Sequence, residues 1–452
     1  MLKDLKYLKV ELPEDILKLK WAGYFEQAVK LIDLKLSKQI PMSLRKRLEM
    51  EKEIIKTIKG NYTYTFEEAL KRMQDNLENF TEEELVVLQN ESQADWILVD
   101  GKVMFNSSFY GNLLKTRSDF QARLINKNSV SEDGNDFLSN NIKDTKENKK
   151  SSYFIHLKTT VKLKDETARV GEKIKVHLPI PAECQQTNIK IIKTTPDAKY
   201  ISPVDHPSRT AYFEVNLSEE QEFSVEYSYE SHLKYNEPDP SQVLKEQPSF
   251  ETEELEPHII FTSYIKELAK EIIGDETNSL IKARKIYDYI TQNVKYSYVR
   301  DYSTITNIPE YAALNFKGDC GVQALLFITL CRYAGIPAKW QSGLAVTPYS
   351  IGPHDWAQFY VAPFGWLFAD PSFGGGELRS NNIDKWNFYF GNLDPFRMIA
   401  NSEFQHEFDP PKNHLRHDPY DNQVGEMEYK DREIRREEFK VSWELIDMHK
   451  IV

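Results

Sequence analysis

Residues 318–331 read GDCGVQALLFITLC, and residues 352–361 read GPHDWAQFYV. The first stretch is an apolar helical run that opens on a cysteine. Gly318 and Gly321 permit tight backbone geometry there, and Asp319 or Cys320 would take the first helical positions. A thiol at that point meets the positive end of the helix dipole and unpaired amide groups, which favour thiolate over thiol. The same amides can donate to a developing oxyanion. Cys331 supplies the contrast. It follows eleven positions later, about 16 Å along a helix axis and beyond the ~7 Å Cα separation that a disulfide spans. Set mid-helix beside Leu330 and Tyr333, it reads as a core thiol, whereas Cys320 reads as a nucleophile.

A nucleophilic thiol needs a base and a group that orients the base. His354 opens the alternating run HDWAQFYV, in which His354, Trp356, Gln358 and Tyr360 share one strand face. Pro363-Phe364-Gly365 carries hairpin-turn chemistry, and the returning strand WLFAD ends at Asp370 before Pro371. A three-residue turn closing on Ala362 and Trp366 sets residue 358 opposite 370, with His354 and Asp370 on one face but offset. A longer loop centred near Ala362 sets them directly opposite. Either register keeps the face, because side chains alternate with a period of two.

The order of these pieces resembles the transglutaminase-like superfamily, a branch of the papain-like cysteine enzymes. Gly318-Asp319-Cys320 at a helix start, Gly335-Ile336-Pro337-Ala338 leading into a strand, His354 with Trp356, and Trp366 with Asp370-Pro371 carry the resemblance, which spans residues 258–375. Asp355 stands where many members have Ala. The resemblance implies that Cys320 attacks an amide or ester carbonyl, that His354 transfers the proton, and that Asp370 orients the imidazole. It also implies an oxyanion site made by the Cys320 amide and an upstream side chain, Tyr298 or Tyr296. An aromatic substrate cleft around Trp356, Trp366, Phe373 and Trp386 is expected. No cofactor and no metal are expected. His406, His414 and His417 lack the HExxH spacing, and no CxxC pair is present.

The rest of the chain frames this segment. Residues 1–126 read as a helical domain: Phe25, Ala28, Val29 and Ile32 recur at helical spacing, and Thr65–Glu68 and Thr81–Glu84 fit capping boxes. Residues 127–152 are polar and read as a linker. From 153 to 235 short alternating runs such as YFIHLKTTVKL and AYFEVNL indicate an antiparallel β-sandwich, with Cys184 inert in one of its loops. A Pro- and Glu-rich linker covers 236–257, and 258–452 is the transglutaminase-like catalytic domain with a C-terminal extension. The expected class is therefore α+β, with a papain-like core behind a β-sandwich and an N-terminal helical domain.

Composition bounds the function. The 452 residues are 40% apolar and 28% charged, with 24 Tyr, 24 Phe and 7 Trp, enough aromatic surface for several cores. A formal net charge of −12 disfavours nucleic acid and anionic membrane surfaces. The first residues lack a signal-peptide pattern and no run is long enough to span a bilayer, so a cytoplasmic protein is expected. The reading that follows is a cysteine-dependent acyl-transfer enzyme acting on a peptide or isopeptide-type amide, by hydrolysis or transamidation. Its partner is a peptide or protein substrate, with the N-terminal domain available to a further protein. The alternative is a non-catalytic peptide- or protein-binding module that keeps the fold.

Overall fold

The helix that begins at the cysteine organises its half of the molecule. In a computed structural model describing residues 2–126, 132–416 and 418–451, it runs Cys320–Tyr333, and every residue from Cys320 to Arg332 is buried. Asp319 is its N-cap and accepts the Val322 amide, so one of the orphan donors of the first turn is satisfied by the residue before the thiol. Helices Ser263–Ile273, Ser279–Asn293 and Ile308–Asn315 pack around it, capped by Thr262, Asn278 and Asn307.

Its other side meets a five-stranded antiparallel sheet, ordered Phe390–Gly391, Gly365–Ala369, Ile351–Val361, Ala338–Val346, Arg397–Asn401. Phe327 of the helix meets Phe359 of the sheet edge-on at 5.7 Å. The hairpin closes with Val361 paired to Gly365, one position earlier than expected, and Gly365 takes the left-handed φ of +83° that ends the turn. Ala357 therefore pairs with Ala369, which brings Asp370 alongside Trp356 rather than Gln358. The shared face is kept, because the shift equals one full period of the strand.

Two further antiparallel sheets enclose a second core. One is ordered Phe439–Lys450, Lys150–Leu163, Glu222–Lys234, Gln186–Thr195; the other Glu433–Ile434, Glu426–Tyr429, Lys173–Pro179, Thr210–Asn216, Tyr200–Ile201. Ile155, Leu157 and Val161 face Val176, Leu178 and Phe213 in that core. The tail is thus not an extension of the transglutaminase-like segment: its last strands complete both sheets. Phe439, Val441, Trp443 and Leu445 alternate with exposed Lys440, Ser442 and Glu444, a period-two run whose partner strand lies some 280 positions earlier. Burial of that alternating face against the core draws the tail back.

The N-terminal region contains seven α-helices among its described residues, with both Thr65 and Thr81 capping boxes formed. It also holds a three-stranded sheet, Tyr62–Thr65, Lys102–Asn106 and Trp96–Val99, that helical spacing did not foretell. The segment 127–152 is not a plain linker either. Glu132–Asn148 is helical, Phe137 meets Phe396 at 4.7 Å, and Ile142 packs with Phe388 and Tyr389. A few apolar side chains suffice there because tertiary contacts bury them, a gain that local composition does not reveal. Residues 127–131 lie outside the described residues. The stretch 236–257 is largely irregular and lies along the five-stranded sheet, with Phe250 against Tyr360 and Trp366.

Candidate active site

Cys320 is 8% exposed at the start of its helix, and its Sγ donates to Asp355 Oδ2 at 3.1 Å. Asp355 is the residue after His354 and points to the helix side of its strand. Gln423, from the C-terminal segment, donates through Nε2 to Asp355 Oδ1 at 2.7 Å and to the His354 carbonyl at 3.0 Å. Asp421 hydrogen-bonds to Asp355 as well. Asp319 accepts the Tyr302 hydroxyl. Carboxyls thus crowd the thiol. Burial first, then Asp355 and Asp319, push the Cys320 pKa well above the ordinary thiol range. The expected thiolate is therefore not the resting form; the helix terminus is outweighed by desolvation and two acidic neighbours. Burial likewise pushes Asp319 up to about 6 and Asp355 up to about 7.

His354 and Asp370 form a second hydrogen-bonded pair. His354 Nε2 lies 2.7 Å from Asp370 Oδ2, and both residues are buried. Asp370 also caps the helix Pro371–Arg379 by accepting the Phe373 amide at 3.0 Å, and Ser372 Oγ donates to it at 3.2 Å. Arg397 Nη2 approaches the same carboxylate at 3.2 Å and is anchored by Asp394 at 2.6 Å. Burial works against the Asp370 charge, but His354 and Arg397 outweigh it and hold its pKa below the usual range. Burial lowers the His354 pKa against the pull of Asp370. The result is a neutral imidazole on a charged carboxylate. The Phe373 ring covers it at 4.2 Å. With Nε2 committed to Asp370, Nδ1 is the nitrogen left for proton transfer.

The three triad candidates are therefore joined in two parts. His354 and Asp370 are hydrogen-bonded; the Cys320 thiol is hydrogen-bonded to the neighbour of His354 and not to His354 itself. Of the oxyanion candidates, Tyr296 pairs in a short parallel ladder with Gly318, two residues before Cys320, and burial followed by Cys320 and Asp319 raises its pKa. Tyr298 is 45% exposed and turned to Lys115, whose Nζ donates to its hydroxyl at 3.2 Å. Asn112 of the N-terminal region clamps the Tyr298 backbone, accepting its amide at 2.7 Å and donating to its carbonyl at 2.8 Å.

The four expected cleft aromatics do not share one cleft. Trp356 is fully buried among Leu233, Leu393 and Ile399, its indole donating to Gln341. Trp366 sits near the hairpin turn beside Phe250 and Lys339. Trp386 donates to Thr291 and lies under Arg284. Phe373 covers His354 at 4.2 Å, and the buried Trp356 ring stacks on it at 5.9 Å. A shared strand face does not guarantee a shared opening, and Phe373 and Trp386 lie on helices.

Asp355, Arg397, Tyr302, Asp421 and Gln423 form the surroundings that residue spacing did not reveal. Asp355 carried a signal, being the departure from the family pattern. The others come from distant segments. Cys184 is a half-buried thiol with a pKa pushed up to about 11 by burial, and Cys331 is fully buried. Among the described residues no cluster of three or more His, Cys, Asp or Glu could hold a metal, and His417 lies outside them.

Residues 266–371 match the model of the transglutaminase-like superfamily. The core is transglutaminase-like. An uncharacterized protein of Haemophilus influenzae is 29% identical to the chain over 141 residues, 25% of this chain and 37% of that protein. The chain thus spans well under half the length of that relative. Solved structures are similar to parts of the chain. A Cytophaga hutchinsonii structure, named provisionally as a cysteine protease, is 17% identical with a TM-score of 0.38, covering 67% of this chain and 90% of that one. The periplasmic domain of TgpA from Pseudomonas aeruginosa is 13% identical with a TM-score of 0.29, covering 52% and 92%. No helix among the described residues is long and apolar enough to cross a membrane.

Proposed function

We propose that the protein is a cofactor-independent cysteine enzyme that cleaves a peptide or isopeptide-type amide through an acyl-enzyme. Cys320 Sγ attacks the carbonyl carbon while His354 Nδ1 takes the thiol proton. The imidazolium, steadied by Asp370, returns that proton to the departing amine. The Cys320 amide and the Tyr296 hydroxyl donate to the oxyanion. Water then releases the acid, or an amine acceptor completes a transamidation. A neutral thiol and a neutral imidazole suit this general-base route, in which no preformed thiolate is required.

The observation that carries the reading is the pair of adjacent residues on one strand: His354 is oriented by Asp370 at 2.7 Å, while Asp355 holds the Cys320 thiol at 3.1 Å. One peptide unit therefore separates the base from the group that touches the nucleophile. The three free cysteines support a reducing compartment, and a cytoplasmic location is part of the proposal. The Asn112 clamp on Tyr298 supports a role for the N-terminal domain in bracing the segment that supplies Tyr296 and Tyr302, and in docking a protein substrate.

The test is turnover of a peptide and isopeptide amide library, with and without an added primary amine. Cleavage by the wild type that vanishes in Cys320→Ala and His354→Ala supports the enzyme. Release of free acid marks hydrolysis and a new amide marks transamidation. Binding of library members without turnover, unchanged in Cys320→Ala, would replace the enzyme with a binding module.

A further inference from the structure

Asp355 has no place in the proton route just described, yet it is the hydrogen-bond partner of the nucleophile. It is 5% exposed, held by Gln423 at Oδ1, and its Oδ2 accepts the thiol. We propose that Asp355, fixed by Gln423 of the C-terminal segment, is a restraint that keeps Cys320 protonated and engaged away from His354. It is a positioning residue that lowers the resting reactivity of the thiol. The inference rests on the reading of Cys320 as nucleophile.

Geometry carries the argument. A carboxylate 3.1 Å from sulfur accepts the S–H but repels the thiolate, so it stabilises the form that cannot attack. The cation among the tail carboxyls, Arg416, acts on Asp421 and Asp418 but donates to the Asp421 carbonyl and to Glu426. The groups facing the thiol are Asp319 from its own helix cap, Tyr302 and Tyr296 from the preceding segment, Asp355 from the strand, and Asp421, Asp418 and Tyr420 from the tail around Asp355. His354 is turned to Asp370. There is little room to relieve the contact: a Cβ at Gly321 would lie 2.9 Å from Asp355 Oδ2 and 2.4 Å from the Tyr302 hydroxyl. The restraint also links the two ends of the fold, since Gln423 precedes the strand Glu426–Tyr429 that pairs with Lys173–Pro179 of the second core.

The experiment is iodoacetamide alkylation of Cys320 in the full chain across pH, read by peptide mass spectrometry. Wild-type Cys320 is expected to react with a midpoint above that of a free thiol, about 8.5. Asp355→Asn keeps the shape, removes the charge and offers an N–H to sulfur. It should lower the midpoint and raise the rate at pH 7 by about tenfold or more. Asp355→Ala should also accelerate. A wild-type midpoint at or below that of a free thiol overturns the proposal without any variant, as does an unchanged or slower rate in a folded Asp355→Asn. The readout is independent of turnover: loss of the catalytic reading, by full activity in Cys320→Ala, leaves the alkylation result standing on its own.

Discussion

His354 Nε2 and Asp370 Oδ2 lie 2.7 Å apart in a site where both side chains are buried, and the same oxygen receives Arg397 at 3.2 Å. Asp370 thus does two jobs, orienting an imidazole and neutralising a buried guanidinium. Asp370→Asn is expected to keep the cap on Phe373 while losing the charge. Amide turnover should fall by roughly 10³-fold or more, by analogy with loss of the orienting carboxylate in other triads. Asp370→Ala should in addition destabilise the fold by about 3–5 kcal/mol, because Arg397 loses a buried partner. Steady-state kinetics and urea unfolding on both variants separate the two effects.

The acid side of the activity profile follows from His354. Its pKa is depressed below 6.5 by burial, and the base must be neutral to accept the thiol proton. Activity should therefore persist below pH 6.5 and decline only in more acid solution. A kcat/KM profile whose acid limb falls at or above 6.5 would contradict a buried neutral base.

Asp355 predicts a stability slope of definite sign. Its ordinary value is 3.8 and burial pushes it up to about 7, so between those values the folded chain binds the additional proton. Stability contributed by this group is full below 3.8 and is lost as pH rises to about 7. Asp355→Asn should unfold at higher urea than the wild type at pH 8, by on the order of a few kcal/mol. At pH 4 the difference should shrink towards zero. Equal differences at both pH values would place the effect in packing instead of charge.

Gly343 pairs with His354 across the sheet, where an added Cβ would lie 1.8 Å from the Met398 carbonyl oxygen. Backbone blocks it on that side, so the strand must move. Gly343→Ala should cost about 2–3 kcal/mol and reduce turnover by displacing the strand that carries His354. Thermal unfolding alongside kinetics reads both.

The strand Phe439–Lys450 covers the edge of Lys150–Leu163 from Leu163 to Tyr153. A chain ending at Glu438 should lose cooperative unfolding and aggregate, since it bares a long strand edge and the Phe439 contact. Light scattering during a thermal ramp checks this. An unchanged melting profile would mean that the tail is an appendage.

Local chemistry was legible where neighbours in sequence are neighbours in space. The capping boxes at Thr65 and Thr81, the helix that starts at Cys320 and the alternating faces of the His354 hairpin all depend on spacings of two to four residues. The hairpin register was offset by one position because the turn could close on either of two pairs with the same face. The three-stranded sheet around Tyr62, the helix at Glu132 and the return of the tail depend on burial against distant residues, which no local window contains.

By itself the sequence determined which residue types stand at a helix start, at a strand start and at the end of the next strand, because periodicity and capping act over one or two turns of chain. Only the tertiary structure decided what surrounds them. It set Asp355, with Gln423 from the tail, against the thiol, and His354 on Asp370 and Arg397. The physical reason is desolvation: a helix terminus favours a thiolate only while water or cations share the work, and folding replaced them with buried carboxyls.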